Sequence, residues 1–198
     1  MQGFVVVSGL PASGKTTVAA SLAASLQLPL LDKDAFLEAL FQSEGTGNAA
    51  WRRELSRRAD VRFQAAATGM ETAVITSWWK HPASTTDSGT PVDWLLCPSR
   101  IAVEVHCVCS ASVAASRFLA RRRHPGHLDE QWSRDNLLAM LEGQQALGPL
   151  VPLKAITLNT EQPLDAQDLA HRIREQALGE CKTWPINQSK WTSKERRP

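Results

Sequence analysis

The chain has 198 residues, of which 43 % are apolar and 21 % are charged, a balance that excludes a wholly disordered or collagen-like protein. No apolar run approaches the ~20 residues needed to span a bilayer, and the N-terminus does not read as a leader, so we expect no membrane association. The formal net charge is +2, but residues 180–198 carry +3 and the rest −1, so the overall charge says little about a nucleic-acid partner.

Short runs rich in Val and Ile alternate with segments of helical period, which predicts βαβ units around a parallel sheet. In chain order we expect a strand at 4–8, a helix at 15–26, a strand at 28–31, helices at 35–41 and 49–67, and strands at 72–77 and 101–109, followed by helices at 112–122 and 130–146, a strand at 154–158 and a helix at 165–178. Residues 80–100 lack a period and contain three prolines, which is typical of a functional or mobile loop.

The strongest motif lies between the first strand and the first helix. Residues 9–16 satisfy G-x-x-x-x-G-K-[ST], the phosphate-binding loop (P-loop), in the strand–helix context that the motif requires. Its backbone N–H groups surround phosphate oxygens, Lys15 reaches the β- and γ-phosphates, and the Thr16 hydroxyl binds the accompanying magnesium. We expect the nucleotide to contact Gly9, Pro11, Ala12, Ser13, Gly14, Lys15, Thr16 and Thr17.

Two further patterns carry chemistry. Asp32 and Asp34 follow the second strand, at the edge where open α/β sheets bind ligands, and a carboxylate there can remove the proton of an attacking hydroxyl. Either acid could instead cap the helix that follows. Residues 117–123 hold four arginines, of which Arg117 and Arg121 share a face of the predicted helix. Guanidinium groups suit a phosphoryl transition state, although such a cluster can also be a solvated surface.

Together, residues 9–17, 31–34 and 117–127 resemble the small P-loop kinases, AAA-type ATP-binding enzymes that include chloramphenicol phosphotransferase, the zeta toxins, gluconate kinase and the polynucleotide kinase domain. The resemblance implies an α/β three-layer P-loop NTPase fold whose five-stranded, mostly parallel sheet has the order 2-3-1-4-5. It also implies an arginine-rich lid at about residues 117–130. We expect one kinase domain at residues 1–179 and an extended or partly disordered basic tail at 180–198.

The resemblance also implies roles for single residues. Lys15, Arg117 and Arg121 would bind ATP and stabilise the moving phosphoryl group, with His124 to His127 as the tip of the lid. Asp34 would activate the acceptor, and Asp32 would assist in metal or acceptor binding, although the two acids could exchange roles. Thr16 and Asp32 are therefore the expected magnesium ligands.

One feature departs from that family pattern. Many P-loop kinases have an acid at the end of the third strand, but here the strand ends in Thr76 and Ser77, either of which could hold a metal-bound water. Trp78 and Trp79 follow directly, so one could pack inside while the other contacts the acceptor, and Trp94 is a further candidate. These aromatic residues suit a ring-bearing or apolar molecule, or a stacked base.

The sequence therefore predicts an ATP- and magnesium-dependent phosphotransferase acting on a hydroxyl group of a small organic molecule. Two alternatives stay open: a polynucleotide or nucleotide kinase, for which Arg52, Arg53, Arg57 and Arg58 could supply charge, and an ATP-binding regulator without catalysis. The four cysteines form no C-x-x-C pair. Cys107 and Cys109 lie two apart in a predicted strand and are expected to be buried thiols, and a reducing, cytoplasmic location is expected.

Overall fold

The computed structural model describes residues 2–96, 100–150 and 155–180. Its centre is a five-stranded sheet of order β2-β3-β1-β4-β5 in which all four strand pairings are parallel, so the expected fold class is confirmed. The strands are β1 (Gln2–Gly9), β2 (Leu30–Asp32), β3 (Thr72–Thr76), β4 (Arg100–Val108) and β5 (Ala155–Asn159). The helices are α1 (Lys15–Leu26), α2 (Lys33–Glu44), α3 (Ala49–Thr68), α4 (Ala111–Ala120), α5 (Arg134–Gln145) and α6 (Ala166–Glu180).

The central strand β1 is apolar on both sides because helices cover both faces of the sheet. Val5 and Val7 belong to the cluster under α1 and α6, which contains Leu22 and Ile173. Phe4 and Val6 belong to the opposite cluster, where Phe63 of α3 is fully buried. The P-loop leaves the sheet at the carboxyl end of this doubly buried strand, which gives the loop a rigid base.

The connection from β3 to β4 contains no α-helix in its described part, residues 77–96. Lys80 donates to the Thr90 carbonyl and Thr90 to the Trp78 carbonyl, so the loop folds back on itself, and a 3-10 turn follows at Asp93–Leu96. The sequence predicted an aperiodic segment here, and the structure holds it with local contacts and with Val92 and Leu95 in the core.

A carboxylate is buried in the middle of β4. Glu104 has no exposed surface, accepts a hydrogen bond from the Ser8 hydroxyl, and accepts a second from the backbone N–H of Leu150 at 2.9 Å. Ser8 also lies 2.8 Å from His106 Nδ1. Burying a carboxylate is costly unless it is hydrogen-bonded, so this cluster ties together β1, β4 and the segment after α5.

Two predicted helices are shorter than expected, and both differences involve residues 117–130, the lid segment. Helix α4 ends at Ala120 because Arg121 adopts an extended conformation (ψ 150°), so the predicted helical stretch through residue 122 is wrong at its end. Helix α5 begins at Arg134 rather than 130 because the Ser133 side chain caps it by accepting from Asn136 N–H. The residues between them form 3-10 turns at Pro125–His127 and Asp129–Gln131.

Two of the four cysteines, Cys107 and Cys109, lie in the described residues, and both are buried free thiols. Burial raises the pKa of Cys107 to about 12, so it stays protonated. Cys97 and the tail from Cys181 onward lie outside the described residues. Among the helices that the structure describes, none is long and apolar enough to cross a membrane.

Candidate active site

The P-loop, residues 9–16, curves around the N-terminus of α1. Gly9 has a φ of +127°, and a Cβ there would lie 2.2 Å from the Cys107 carbonyl oxygen, so only glycine fits. Gly14 has a φ of +89° and leads into α1, whose first N–H groups point toward the loop. Backbone donors at a helix N-terminus favour an anion such as a phosphate.

Two side chains of the loop fit a bound phosphate. Ser13 Oγ is buried and has no hydrogen-bond partner among the described residues, which is unusual for a hydroxyl group. Lys15 Nζ donates to the carbonyl oxygens of Gly9 at 3.1 Å and Leu10 at 2.7 Å. Burial lowers the pKa of Lys15 to about 8, so an incoming anion would favour its charged form.

The acids after β2 occupy two different positions. Asp32 caps α2 by accepting from Asp34 N–H at 3.0 Å, and its other oxygen accepts from the Thr16 hydroxyl at 3.3 Å. Burial, followed by the proximity of Asp34, raises the pKa of Asp32. Asp32 is thus both the helix cap that the sequence allowed and a neighbour of Thr16. Asp34 lies in the first turn of α2.

The lid reaches Asp34 through a residue that the sequence analysis did not select. Arg123 forms an ion pair with Asp34, and its other nitrogen lies 3.5 Å from Asp129. Burial alone would raise the pKa of Asp34, but Arg123, followed by His127, lowers it below its usual value. Asp34 is therefore ionised and held by the lid.

Asp129 joins the two ends of the lid turn. Besides Arg123, it accepts from Arg121 Nε at 3.2 Å and Nη2 at 3.0 Å. The Arg121 guanidinium also lies 4.0 Å above the Phe118 ring, and it is near enough to Lys15 to act on the pKa of that group. Arg121 therefore faces the P-loop from the lid.

The tip of the lid is docked on α2. The His124 ring stacks on Phe41 with ring centroids 5.1 Å apart, and His127 Nε2 lies 2.9 Å from Glu38 Oε1. Gly126 is buried against the same ring, where a Cβ would lie 2.7 Å from Phe41 Cδ2. The lid is thus closed over Asp34 by contacts with the helix that carries this acid.

The side chains of Arg117 and Arg121 have different partners, because α4 ends between the two residues. Its guanidinium donates to the Thr160 carbonyl at 3.0 Å and to the Thr160 hydroxyl at 3.3 Å. These residues line a cavity of about 340 Å³ beside the start of α1, together with Gly14, Thr17 and Asn159. The expected shared helical face of Arg117 and Arg121 is therefore wrong, and the two residues lie on different parts of the site.

The two tryptophans after β3 also separate. Trp79 is buried, packs beside Phe63, and donates from its indole N–H to the Val7 carbonyl at 3.0 Å. Trp78 is half-buried and lines a second cavity of about 340 Å³ next to Leu10 and His81. Trp94 packs against Phe4 and Trp79, so it lies with the core residues.

The substitutes for the missing acid at the end of β3 are already engaged. Thr76 is buried and its hydroxyl donates to the Val7 carbonyl at 3.4 Å. The Ser77 hydroxyl lies 2.5 Å from the Thr90 hydroxyl, which in turn donates to Asp60. Beside the phosphate loop, the Thr16 hydroxyl and the Asp32 carboxylate contact each other.

The arginines of α3 do not form one surface. Arg53 is exposed, and Arg57 and Arg58 form ion pairs with Glu54 and Glu44. Arg52 is close enough to Asp34, Asp129 and Arg123 for their charges to act on its pKa. Sequence reasoning missed Arg52, Arg123 and Asp129 as a group because their meeting depends on the docked lid, for which no local pattern exists.

Comparison with known proteins adds a family. The AAA domain family matches residues 4–147, which is more than half of the chain. The chain belongs to the AAA domain family. No curated protein gives a significant match to this AAA domain protein.

Solved structures share the fold of this AAA domain protein. A protein from Chloroflexus aurantiacus J-10-fl, provisionally assigned as a kinase, is 26 % identical with a TM-score of 0.72, covering 88 % of this chain and 97 % of its own. A gluconokinase from Sinorhizobium meliloti 1021 is 20 % identical (TM-score 0.56; 90 % and 97 % covered). A shikimate kinase from Bacteroides thetaiotaomicron is 19 % identical (TM-score 0.54; 87 % and 97 % covered). The P-loop kinase fold expected from the sequence is confirmed.

Proposed function

We propose that this protein is an ATP- and magnesium-dependent phosphotransferase that moves the γ-phosphate of ATP to a hydroxyl group of a small organic molecule. The observation that carries the proposal is a series of contacts that joins the P-loop, α2 and the lid. Asp32 accepts from the Thr16 hydroxyl and from Asp34 N–H. Asp34 pairs with Arg123, and Asp129 joins Arg123 to Arg121. A phosphoryl donor, a base and a cation for the transition state therefore have places in one site.

ATP would lie across the start of α1. The loop amides, the unpartnered Ser13 hydroxyl and Lys15 would hold its phosphates. The adenosine would occupy the cavity lined by Gly14, Thr17 and Arg117, where the guanidinium is held in place by Thr160. The expected nucleotide contacts of Arg117 and Arg121 are then to different parts of ATP, the adenosine and the γ-phosphate.

The residues beside the loop fit magnesium. Thr16 and Asp32 place a hydroxyl and a carboxylate oxygen together, and hard oxygen ligands are those that magnesium prefers. Asp32, whose pKa is raised by burial and by Asp34, would be stabilised in its charged form by a cation. When bound, the ion would neutralise charge on the phosphate oxygens.

Asp34 is the proposed general base. Its pKa is lowered, so at neutral pH it carries the negative charge that proton removal requires. In the closed lid this carboxylate is occupied by Arg123, so the acceptor hydroxyl would have to displace that ion pair. Arg121, on the side of Lys15, would then stabilise the charge on the moving phosphoryl group.

The relatives point the same way. The Chloroflexus protein is provisionally assigned as a kinase, and the gluconokinase and the shikimate kinase are named for small hydroxylated acceptors. A nucleic-acid acceptor has less support, because Arg57 and Arg58 of α3 are already paired with Glu54 and Glu44. The proposal keeps one kinase domain at residues 1–179, followed by a basic tail at 180–198.

Transfer of label from γ-labelled ATP to a panel of small hydroxyl compounds tests the proposal. Asp34→Asn should lower kcat by ~10²–10⁴ and leave ATP affinity nearly unchanged, because a general base acts on the chemical step. Asp87→Asn, which changes an exposed carboxylate paired with Lys80, is the matched control. Full activity of Asp34→Asn would refute the role of Asp34, and full activity of Lys15→Ala would refute the proposal as a whole. Tight ATP binding without transfer to any compound would favour the regulator.

A further inference from the structure

The position of Arg52 is unfavourable for an arginine, and the contacts within the described residues do not compensate for it. It lies in the first turn of α3, where the helix dipole disfavours a cation, and Asn48 rather than an acid caps this end. Its Nε is buried and has no hydrogen-bond partner among the residues that the structure describes. Burial, followed by Arg123, lowers its pKa. A buried, unpaired guanidinium nitrogen is costly, so a ligand that pairs with it would remove the cost.

The charges around Arg52 do not balance. Arg121 and Arg123 share Asp129, and Arg123 also holds Asp34, so both carboxylates of this cluster are already engaged by the lid. Three guanidinium groups therefore face two carboxylates. The remaining cation is Arg52, for which the described residues provide no ion-pair partner within 4.0 Å.

The other α3 arginines show that this is particular to one position. Arg53 is exposed, and Arg57 pairs with Glu54 along the same helix at 2.8 Å. Arg52 differs from both, because its Nε is buried without a partner among the described residues and its pKa responds to the charges of Arg123, Asp129 and Asp34. A guanidinium without a carboxylate partner, beside the place proposed for the acceptor hydroxyl, would favour an acceptor that also carries a negative charge.

We propose that the phosphoryl acceptor bears an anionic group, a carboxylate or a phosphate, and that Arg52 and Arg123 bind it. This inference rests on the proposed function, because it places the anion on the molecule whose hydroxyl meets Asp34. The anion would compete with Asp34 for Arg123, so that acceptor binding itself frees the base from its ion pair. Arg52 is then the residue that selects charged acceptors over neutral ones.

The first test measures binding and does not require the natural acceptor. The full-length protein is saturated with magnesium and the non-transferable analogue AMP-PNP, which fills the P-loop, and is titrated calorimetrically with inorganic phosphate and, separately, with acetate. We expect saturable binding of at least one anion. Arg52→Gln should weaken it by ~10-fold or more, since one charged hydrogen-bonding partner is lost. Arg52→Lys should give an intermediate affinity because it keeps the charge but not the fork.

Arg53→Gln is the matched control, since it removes an exposed arginine one residue away and should leave the affinity unchanged. Equal affinities in the wild type and Arg52→Gln would overturn the inference, as would AMP-PNP binding without any saturable anion binding. Failure of AMP-PNP to bind would instead overturn the proposed function and this inference with it.

The second test compares acceptors in matched pairs by label transfer: hydroxycarboxylates against their amides, and alcohols that carry a phosphomonoester against the same alcohols without it. We expect the anionic member of a pair to be preferred by ~10-fold or more in kcat/KM, and Arg52→Gln to erase this preference mainly through KM. The pair that responds decides between carboxylate and phosphate. The inference would be contradicted if the neutral member of each pair had the same kcat/KM as the anionic member and Arg52→Gln changed neither value.

Discussion

Replacing Gly126 by alanine should undock the lid. Gly126 is buried and its φ is not positive, so alanine is acceptable to the backbone and the only obstacle is space. The added Cβ would lie 2.7 Å from Phe41 Cδ2 and 2.8 Å from Cε2. Carbon atoms in contact lie about 3.5–4.0 Å apart, so the lid tip and the ring would have to separate by about 1 Å. That movement would disturb the His124 stacking and the 2.9 Å bond between His127 and Glu38.

Overpacking of this kind costs ~1–3 kcal/mol. For a protein of this size, that corresponds to a Tm lower by roughly 2–12 °C if the lid unfolds with the rest of the domain. If the lid instead opens without the rest of the domain unfolding, Tm would not report this free-energy cost. Amide hydrogen exchange would then detect it, because residues 121–131 would exchange faster in Gly126→Ala.

Gly143→Ala is the control for this substitution. Gly143 lies inside α5 with nothing within 4 Å of its Cβ position, so helix propensity predicts a gain of ~0.5–1 kcal/mol. Its Tm should therefore rise, by about 1–4 °C. Unchanged Tm and unchanged lid exchange in Gly126→Ala would refute the claim that this glycine permits docking.

Other predictions concern charge and packing. Because burial lowers the pKa of Lys15 to about 8, and phosphate binds its protonated form, ATP affinity should fall as pH rises above 8, by up to ~10-fold per unit. Binding near pH 8 should take up a proton, which calorimetry in buffers of different ionisation enthalpy measures. Lys15→Arg keeps its charge above pH 8, so its ATP affinity should not show this fall. An equal pH dependence of ATP affinity in the two proteins would contradict the assignment to Lys15. Trp79→Phe should lower the free energy of unfolding by ~1–3 kcal/mol through a cavity and the lost bond to the Val7 carbonyl. Trp78→Phe, at a half-buried position, should cost clearly less in urea denaturation, and equal losses would argue against the different packing of the two residues.

The local sequence pattern was sufficient to predict those helices and strands in which the spacing of apolar residues matches the observed secondary structure. Helix α1 was predicted with its exact ends because the P-loop starts it and Pro29 closes the segment after it. Strand β1 was predicted because residues 4–7 in its middle are one phenylalanine and three valines, which favour strands. The P-loop needed no tertiary information, since a motif of eight consecutive residues contains its own geometry.

The contacts of the lid could not be predicted from the spacing of its arginines. The sequence predicted a helix through Arg122, but the chain leaves the helix at Arg121, and the lid tip packs on α2. Arg123 and Asp34 are 89 residues apart, as are His127 and Glu38, and no spacing rule connects them. Arg123 is therefore the lid residue that pairs with Asp34. Sequence reasoning had selected Arg117 and Arg121 for ATP and the moving phosphoryl group, and had predicted no arginine on Asp34.

The buried carboxylate of Glu104 has a consequence for how tightly a nucleotide can bind. Its partner Ser8 immediately precedes Gly9, so the hydrogen bond fixes the residue from which the P-loop departs. Lys15 holds the next two carbonyl oxygens from the other side. The loop is thereby preorganised, and little of the interaction energy with a phosphate is consumed in ordering it. In Glu104→Ala, the loop would have to be ordered at the moment of binding, and affinity would fall although Glu104 never meets the ligand.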